Sequence, residues 1–358
     1  MKKSTLNVAI DAGDFCVAHD KVRSGITRMV AGFLNEAKNL KTSNIQFRVY
    51  YFNSSKARGI GNIHYKKLPQ VGFASYHLPR AILKDKNEVY LAFSTHIPAV
   101  LRTKKIKKIS FLYDLGFYKY PSNYMNPYRL ARMTKNSLRW ADTIIATSNY
   151  MKKELSWFEP SYSNKIQVIY PGIDHLKTRT KKIEGKYFLY VGVIKPIKNI
   201  ERLLLSFDRF LYQSKKKDFS FILIGTQEKN YFTKLIHSPL YKKLKEKITF
   251  IKTVSDEELL SYYASSVAVI NLSFEEGFGF PVMEASYFNK PVIVNDLPIY
   301  KEFSDTFKTI KINKEQKDVV KTMINVSKST SKKKSQKTPS QFTWKNFTKS
   351  LIQTAKSI

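Results

Sequence analysis

The segment Phe274-Glu275-Glu276-Gly277-Phe278-Gly279-Phe280-Pro281-Val282-Met283-Glu284-Ala285 gathers the residue types of a ligand cradle. Two carboxylates, Glu276 and Glu284, stand with seven residues between them. An ionised carboxylate only accepts hydrogen bonds, which suits it to the paired hydroxyls of a ribose or hexose. Gly277 and Gly279 let the backbone approach a ligand closely, and Pro281 opens a helix with its φ already set. The free N–H groups of that first turn favour a diphosphate. At about 3.6 residues per turn, Glu276 falls in the loop and Glu284 about one turn into the helix, so they grip different parts of one ligand.

Such residues need elements that bring them to one cleft. Apolar β-rich runs alternate with helical patterns from end to end, as in parallel sheets wound with helices. The runs are 8–11, 47–52, 89–93, 109–113, 143–147 and 166–170 in the first half, and 187–193, 219–225, 248–252, 267–272, 291–295 and 309–312 in the second. Each half reads as a doubly wound α/β domain. We expect a first Rossmann-like domain over 1–175, a basic linker over 176–186, a second Rossmann-like domain over 187–340 and a closing helix over 341–358 that packs back on the first domain. Sheets of this kind bind ligands beyond the carboxyl ends of their strands, so the loops after the strands of both halves face a shared cleft. After Asp318 the chain has no acidic residue, and the Ser/Thr/Lys-rich stretch 327–340 reads as an exposed loop. Phe347, Leu351 and Ile352 then restore helical spacing.

A chain of 358 residues can bury two cores, and a hydrophobic content of 43% with 14% aromatics fills them. No run reaches the roughly 18 apolar residues of a membrane span. Asn7 and Asp11 interrupt the first apolar run, which favours a β-strand over a leader peptide. The single cysteine, Cys16, excludes an intramolecular disulfide, argues against a cysteine-built zinc site and suits a reducing cytoplasm. The formal charge of +34 attracts polyanions, whether nucleic acid, anionic phospholipid or phosphorylated small molecules. A lysine-rich genome composition also produces such a charge. A nucleic-acid-binding reading lacks a Cys/His finger, a basic region leading into heptads or an RNA-binding aromatic signature, so no nucleic-acid partner is expected.

Glu276 and Glu284 around Gly277-Phe278-Gly279, continued by Lys290-Pro291-Val292-Ile293, resemble the Glu, seven residues, Glu signature of the retaining glycosyltransferases of family 4. Those enzymes have two Rossmann-like domains in the GT-B arrangement. A second block, Tyr187-Phe188-Leu189-Tyr190-Val191-Gly192 through Lys198-Asn199-Ile200-Glu201-Arg202-Leu203, is similar to the family strand and loop that face the donor diphosphate. Further matches are Ala9-Ile10-Asp11-Ala12 with Ser24-Gly25-Ile26, Ala141-Asp142-Thr143-Ile144-Ile145-Ala146 with Ser148, Pro171-Gly172-Ile173-Asp174 and Phe342-Thr343-Trp344. The resemblance covers nearly the whole chain.

It implies a hexosyltransferase, metal-independent since no Asp-x-Asp motif occurs, with a nucleoside diphosphate sugar as donor substrate and no cofactor. Lys198, Lys195 and the helix N-terminus near Gly279 would carry the charge of the leaving diphosphate, with Gly192, Gly25, Gly277 and Phe278 around the donor. Asn199 would cap the following helix. Glu284 would hold the ribose and Glu276 the transferred sugar. The second domain would bind the nucleotide sugar, and Asp114, with Tyr113 and His96 in the first, would face the acceptor. Mannose from a guanosine diphosphate donor is the preferred substrate, with uridine diphosphate donors open. The implied acceptor is a growing lipid-linked saccharide of a surface polysaccharide such as O-antigen or capsule, met by a peripheral protein on the anionic inner face of the plasma membrane. Two departures stand out. Many relatives carry an arginine where this chain has Val193 or Ile197, leaving Lys195, which lacks a bidentate fork. Many also have His-Asp where Tyr113-Asp114 stands, and tyrosine stays protonated at neutral pH. These departures motivate an alternative, a degenerate transferase-like partner subunit that binds nucleotide without turnover.

Overall fold

The computed structural model describes residues 5–13, 25–39, 44–52, 59–175, 180–328 and 338–358. Cys16, Ser24, residues 176–179 of the expected linker and residues 329–337 of the Ser/Thr/Lys-rich stretch lie outside them. The first sheet contains β1 (Leu6–Gly13), β2 (Ile45–Tyr51), β3 (Ile63–Lys67), β4 (Val89–Ala92), β5 (Lys107–Leu112), β6 (Thr143–Ala146) and β7 (Ile166–Val168). Their order is β3-β2-β1-β4-β5-β6-β7, and every pairing is parallel. The second contains β8 (Lys186–Val191), β9 (Phe219–Ile224), β10 (Ile248–Ile251), β11 (Ala268–Asn271), β12 (Val292–Asn295) and β13 (Ile310–Asn313). Its order is β10-β9-β8-β11-β12-β13, again all parallel.

Helices cover both faces of each sheet, so central strands such as β4, β6, β11 and β12 are buried at every residue. In each sheet the order reverses beside the first strand, between β1 and β4 and between β8 and β11. Crevices open beyond the carboxyl ends of strands at such points. The residues after β8 and β11, Gly192 to Lys198 and Ser273 to Gly279, therefore flank one crevice. β3 is not among the apolar runs of the sequence. It is an edge strand whose only buried residue is Ile63, so it needs no apolar run.

The closing helix Trp344–Ser357 belongs physically to the first domain. Trp344, Phe347, Leu351 and Ala355 pack into the cluster formed by β1, β2, β4 and the first helix, Gly25–Ala37. Two glycines make room for its tryptophan. A Cβ on Gly32 would lie 2.2 Å from the Trp344 ring, and one on Gly172 would lie 2.3 Å from the Trp344 backbone nitrogen. Asp174 accepts from that nitrogen at 2.8 Å. Part of the linker is also docked, since Lys181 and Ile183 donate their N–H groups to Ser261 and Ser265.

The two domains are joined by an apolar cluster that runs from one into the other and by polar contacts between their facing ends. Glu302 accepts from the N–H groups of Asn149 and Tyr150, at 2.9 and 2.7 Å, and from the Tyr170 hydroxyl at 2.8 Å. It thereby supplements the Ser148 cap at the start of the helix Asn149–Phe158. Buried Glu275 accepts from Tyr150 at 2.7 Å and from Lys119 at 3.3 Å, and Lys119 also pairs with Glu154. Among the described residues no helix is long and apolar enough to cross a membrane.

Candidate active site

A cavity of about 530 Å³ runs between the domains and is lined by Gly25, Arg28, Ser94, Tyr113, Asp114, Tyr124, Gly192, Lys195, Lys198, Glu276, the loop Gly277 to Pro281 and Glu284, among others. Its size lies in the range of small-molecule sites. β11 ends in Asn271, whose side chain accepts from Ser273 and turns the chain into the loop that carries Glu276. Lys198 closes a single 3₁₀ turn after β8 and reaches Glu276 Oε1 at 2.5 Å. Ser273 and Asn271 also donate to that oxygen, at 2.8 and 3.4 Å. Burial alone would raise the Glu276 pKa, but the charge and hydrogen bond of Lys198, helped by Ser273 and Asn271, hold it below the ordinary carboxylate value. Lys195 makes no ion pair among the described residues. Its ammonium lies 5.6 Å from the centre of the Tyr124 ring, and burial, then nearby Lys198, depresses its pKa. Two half-buried lysines face the cleft beside Glu276, a field that favours an added anion.

Glu284 lies in the helix Phe280–Tyr287, whose N-cap Gly279 has φ +75°, a left-handed conformation open to glycine. The Glu284 side chain is 2% exposed. Arg28 Nε stands 3.0 Å from its Oε1, His175 Nε2 3.4 Å from the same atom, and Tyr263 donates to Oε2 at 2.9 Å. Burial raises this pKa too, and Arg28 with His175 and Tyr263 reverses the effect, so Glu284 stays ionised. None of these three partners is marked by the sequence motif. Arg28 does follow Gly25 by three residues, one helical turn, and that spacing places both on one face of the first helix.

Several expectations are corrected. Gly277 lines the cavity and also meets the opposite domain. A Cβ there would lie 1.4 Å from the Tyr113 carbonyl oxygen, so the glycine lets the second domain abut the first, and Ser148 and Thr147 donate to its carbonyl at 2.8 and 3.3 Å. Tyr113 lines the cavity, and its hydroxyl donates to the Phe93 carbonyl at 2.9 Å. Burial, then the charge of Asp11, pushes its pKa well above the ordinary value. Ser94 and Thr95, not His96, line the cavity. His96 instead has its pKa lowered by burial and by Arg129. Asn199 is the residue before the helix Ile200–Ser214, but at φ +55° its side chain makes no capping bond. Asp114 lines the cleft while its carboxylate accepts from the Gly116 N–H at 3.0 Å, so turn and cleft positions coincide. Gly25 and Phe280 meet across the cleft, a Cβ on Gly25 lying 3.5 Å from the Phe280 ring. Phe278 is buried against Phe280 and Phe303. Behind Ser94, and bonded to it, lies Asp11 at the end of β1, which the sequence reading assigned no role.

The model of the family described as Glycosyl transferases group 1 matches residues 174–341, and that of Glycosyltransferase Family 4 matches residues 32–176. The O-antigen chain mannosyltransferase RfbU of Salmonella typhimurium is 28% identical over 225 residues, covering 62% of this chain and 60% of that protein. The serotype-specific mannosyltransferase WbdA of Escherichia coli is 35% identical over 120 residues, 33% of this chain and 14% of its own length. The chain thus spans less than two thirds of these curated relatives. Among solved structures, HepE of Anabaena in complex with UDP and glucose superposes with a TM-score of 0.69 at 14% identity, covering 99% of this chain and 100% of that one. This likeness establishes the two-domain α/β fold.

Proposed function

The chain belongs to the glycosyltransferases of the group 1 and family 4 type with the GT-B fold, and from that premise we propose that it transfers a hexose, by preference mannose, from a nucleoside diphosphate sugar to a growing saccharide. The observation that carries this reading is the meeting, at one crevice, of Lys195, which makes no ion pair among the described residues, and carboxylate-bound Lys198 with the ionised carboxylates of Glu276 and Glu284. The relatives RfbU and WbdA, both named as mannosyltransferases, support mannose and an O-antigen or similar surface polysaccharide as the setting.

In this reading the diphosphate enters between Lys195 and Lys198. Lys198 then shares its charge between phosphate and Glu276, so negative charge that develops on the leaving group meets a preoriented cation rather than water. Glu276, held by Ser273 and Asn271, contacts the transferred sugar, and Glu284 accepts from the ribose hydroxyls. The acceptor comes from the side of Asp114 and Ser94. The lysines supply the charge without a metal, and the configuration at the anomeric carbon is retained. The net charge of +34 supports docking on an anionic membrane that carries a lipid-linked acceptor.

The test is turnover. Labelled GDP-mannose and the common UDP-hexoses are incubated with the chain and with lipid-linked or free saccharide acceptors, and the product linkage is read by NMR. Transfer with retention, lost in Glu276→Ala, is expected. Nucleotide binding with no transfer to any acceptor would replace this reading by that of a catalytically silent partner subunit. Vesicle flotation tests the membrane, and equal binding to neutral and anionic lipid would remove it.

A further inference from the structure

Glu284 stands at the wall of the cleft with its side chain only 2% exposed, and residues far apart in sequence hold it there. Arg28, itself only 7% exposed, comes from the first helix of the opposite domain. Tyr263 comes from the helix Asp256–Ser265. His175 comes from the stretch that joins the domains. His175 is fixed in turn by the closing helix, because the indole N–H of Trp344 donates to its Nδ1 at 3.1 Å. A ring nitrogen that accepts carries no proton, so in the neutral ring the proton sits on Nε2, the atom that faces Glu284. Burial, with Arg28 nearby, lowers the His175 pKa and favours that neutral ring. Neither His175 nor Arg28 aligns a hydrogen bond on Oε1. Both reach it as charge or dipole contacts, so the Glu284 carboxylate, which lines the cleft, keeps lone-pair capacity.

We infer that Arg28 and His175 are positioning residues for the donor nucleotide, holding the Glu284 carboxylate in place and turned to the cleft, with Trp344 fixing the orientation of His175. The inference rests on the reading that Glu284 receives the ribose hydroxyls. A buried carboxylate with no cation would take up a proton and offer a weaker acceptor. Because Arg28 lies across the cleft from Glu284, the seat is complete only when the two domains stand together. The closing helix, which contributes no residue to the cavity lining, acts on the site through one imidazole ring.

The test is calorimetric titration of GDP, UDP and their 2′,3′-dideoxy forms into the native chain, R28K, R28Q, H175Q and H175L, each first checked for native circular dichroism. The native chain is expected to prefer the ribonucleotide to its dideoxy form by roughly tenfold or more. R28Q and H175L should collapse that preference while leaving dideoxy binding within about twofold, as a seat specific to the hydroxyls requires. R28K and H175Q, which keep a charge or an N–H, should restore most of it. Nitrogen-15 spectra of the native chain should place the His175 proton on Nε2, and those of W344F should show a mixture. A native chain that binds both forms equally, or binds neither nucleotide, removes the ribose reading. A native preference that R28Q and H175L retain overturns the positioning inference alone, as does a native His175 protonated on Nδ1.

Discussion

Alanine at Gly277 probes whether the domains work in the contact seen here. The added methyl would sit 1.4 Å from the Tyr113 carbonyl oxygen. A carbon-to-oxygen contact needs about 3.3 Å, so loop and strand end must part by about 2 Å. That separation breaks the bonds from Ser148 and Thr147 to the Gly277 carbonyl, now 2.8 and 3.3 Å. Two neutral hydrogen bonds at ~1 kcal/mol each, with an overpacking cost of ~1–3 kcal/mol, come to about 3–5 kcal/mol against the closed arrangement. One apolar cluster runs from the first domain into the second, so the cost falls on closure and on the core that the domains share. The expected result is a kcat/KM lower by at least ~10², a larger radius of gyration by small-angle scattering and a modest change in urea midpoint. Ser148→Ala, which removes one bond to Gly277 together with the N-cap bond from the Met151 N–H, should lose roughly fivefold in kcat/KM and ~1 kcal/mol of stability. Native kinetics and native scattering in Gly277→Ala would refute the argument, because the contact could not then exist in the active state.

Lys198→Ala should remove the cation from both Glu276 and the diphosphate and lower kcat by about 10²–10³ with a smaller loss of nucleotide affinity; unchanged kcat would exclude Lys198 from the chemistry. Asp11 is raised by burial from the ordinary 3.8 to about 6, against the lowering effect of Ser94, Gly13 and Tyr90. The native chain therefore binds this proton where the unfolded chain does not, and stability should fall by about 2 kcal/mol as pH rises from 4 to 6, out of about 3 kcal/mol over the whole titration. Asp11→Asn should flatten that part of a urea-midpoint profile, and a slope that persists would assign it elsewhere. Alanine at Glu302 leaves two helix N–H groups and the Tyr170 hydroxyl without their acceptor. The cost, ~1–3 kcal/mol, falls on the interface, so urea unfolding should broaden toward two transitions, whereas one unchanged transition would count against the capping role. Turnover should be unchanged by EDTA if the lysines supply the charge, and loss restored by Mg²⁺ would contradict this.

The alternation of apolar runs and helices was legible because strands buried on both faces must be apolar throughout, as in β11 and β12. β3 escaped because an edge strand with one buried residue leaves no such trace. Lys198 and Glu276 were legible as separate motifs, and the fold brings them to 2.5 Å because their loops follow neighbouring strands. What could not be read were contacts set by the placement of one domain on the other. Gly277 looks like a ligand-loop glycine and nothing more until Tyr113 is found above it. Arg28 and His175 look unremarkable until Glu284 is found between them. Their partners lie more than 100 residues away, and no local spacing encodes such a distance.

The closing helix makes the first domain discontinuous along the chain. Its apolar groove, with the space left by Gly32 and Gly172 for Trp344, stays uncovered after residue 175 is made until the helix Trp344–Ser357 follows. At ~5–20 residues per second of synthesis that delay is roughly 10–30 s, during which the nascent half exposes a surface that chaperones recognise. The same topology sets a rule for chimaeras. A nucleotide-binding half exchanged between relatives ends before the last helix, and residues 338–358 must travel with the first half whose groove they fill.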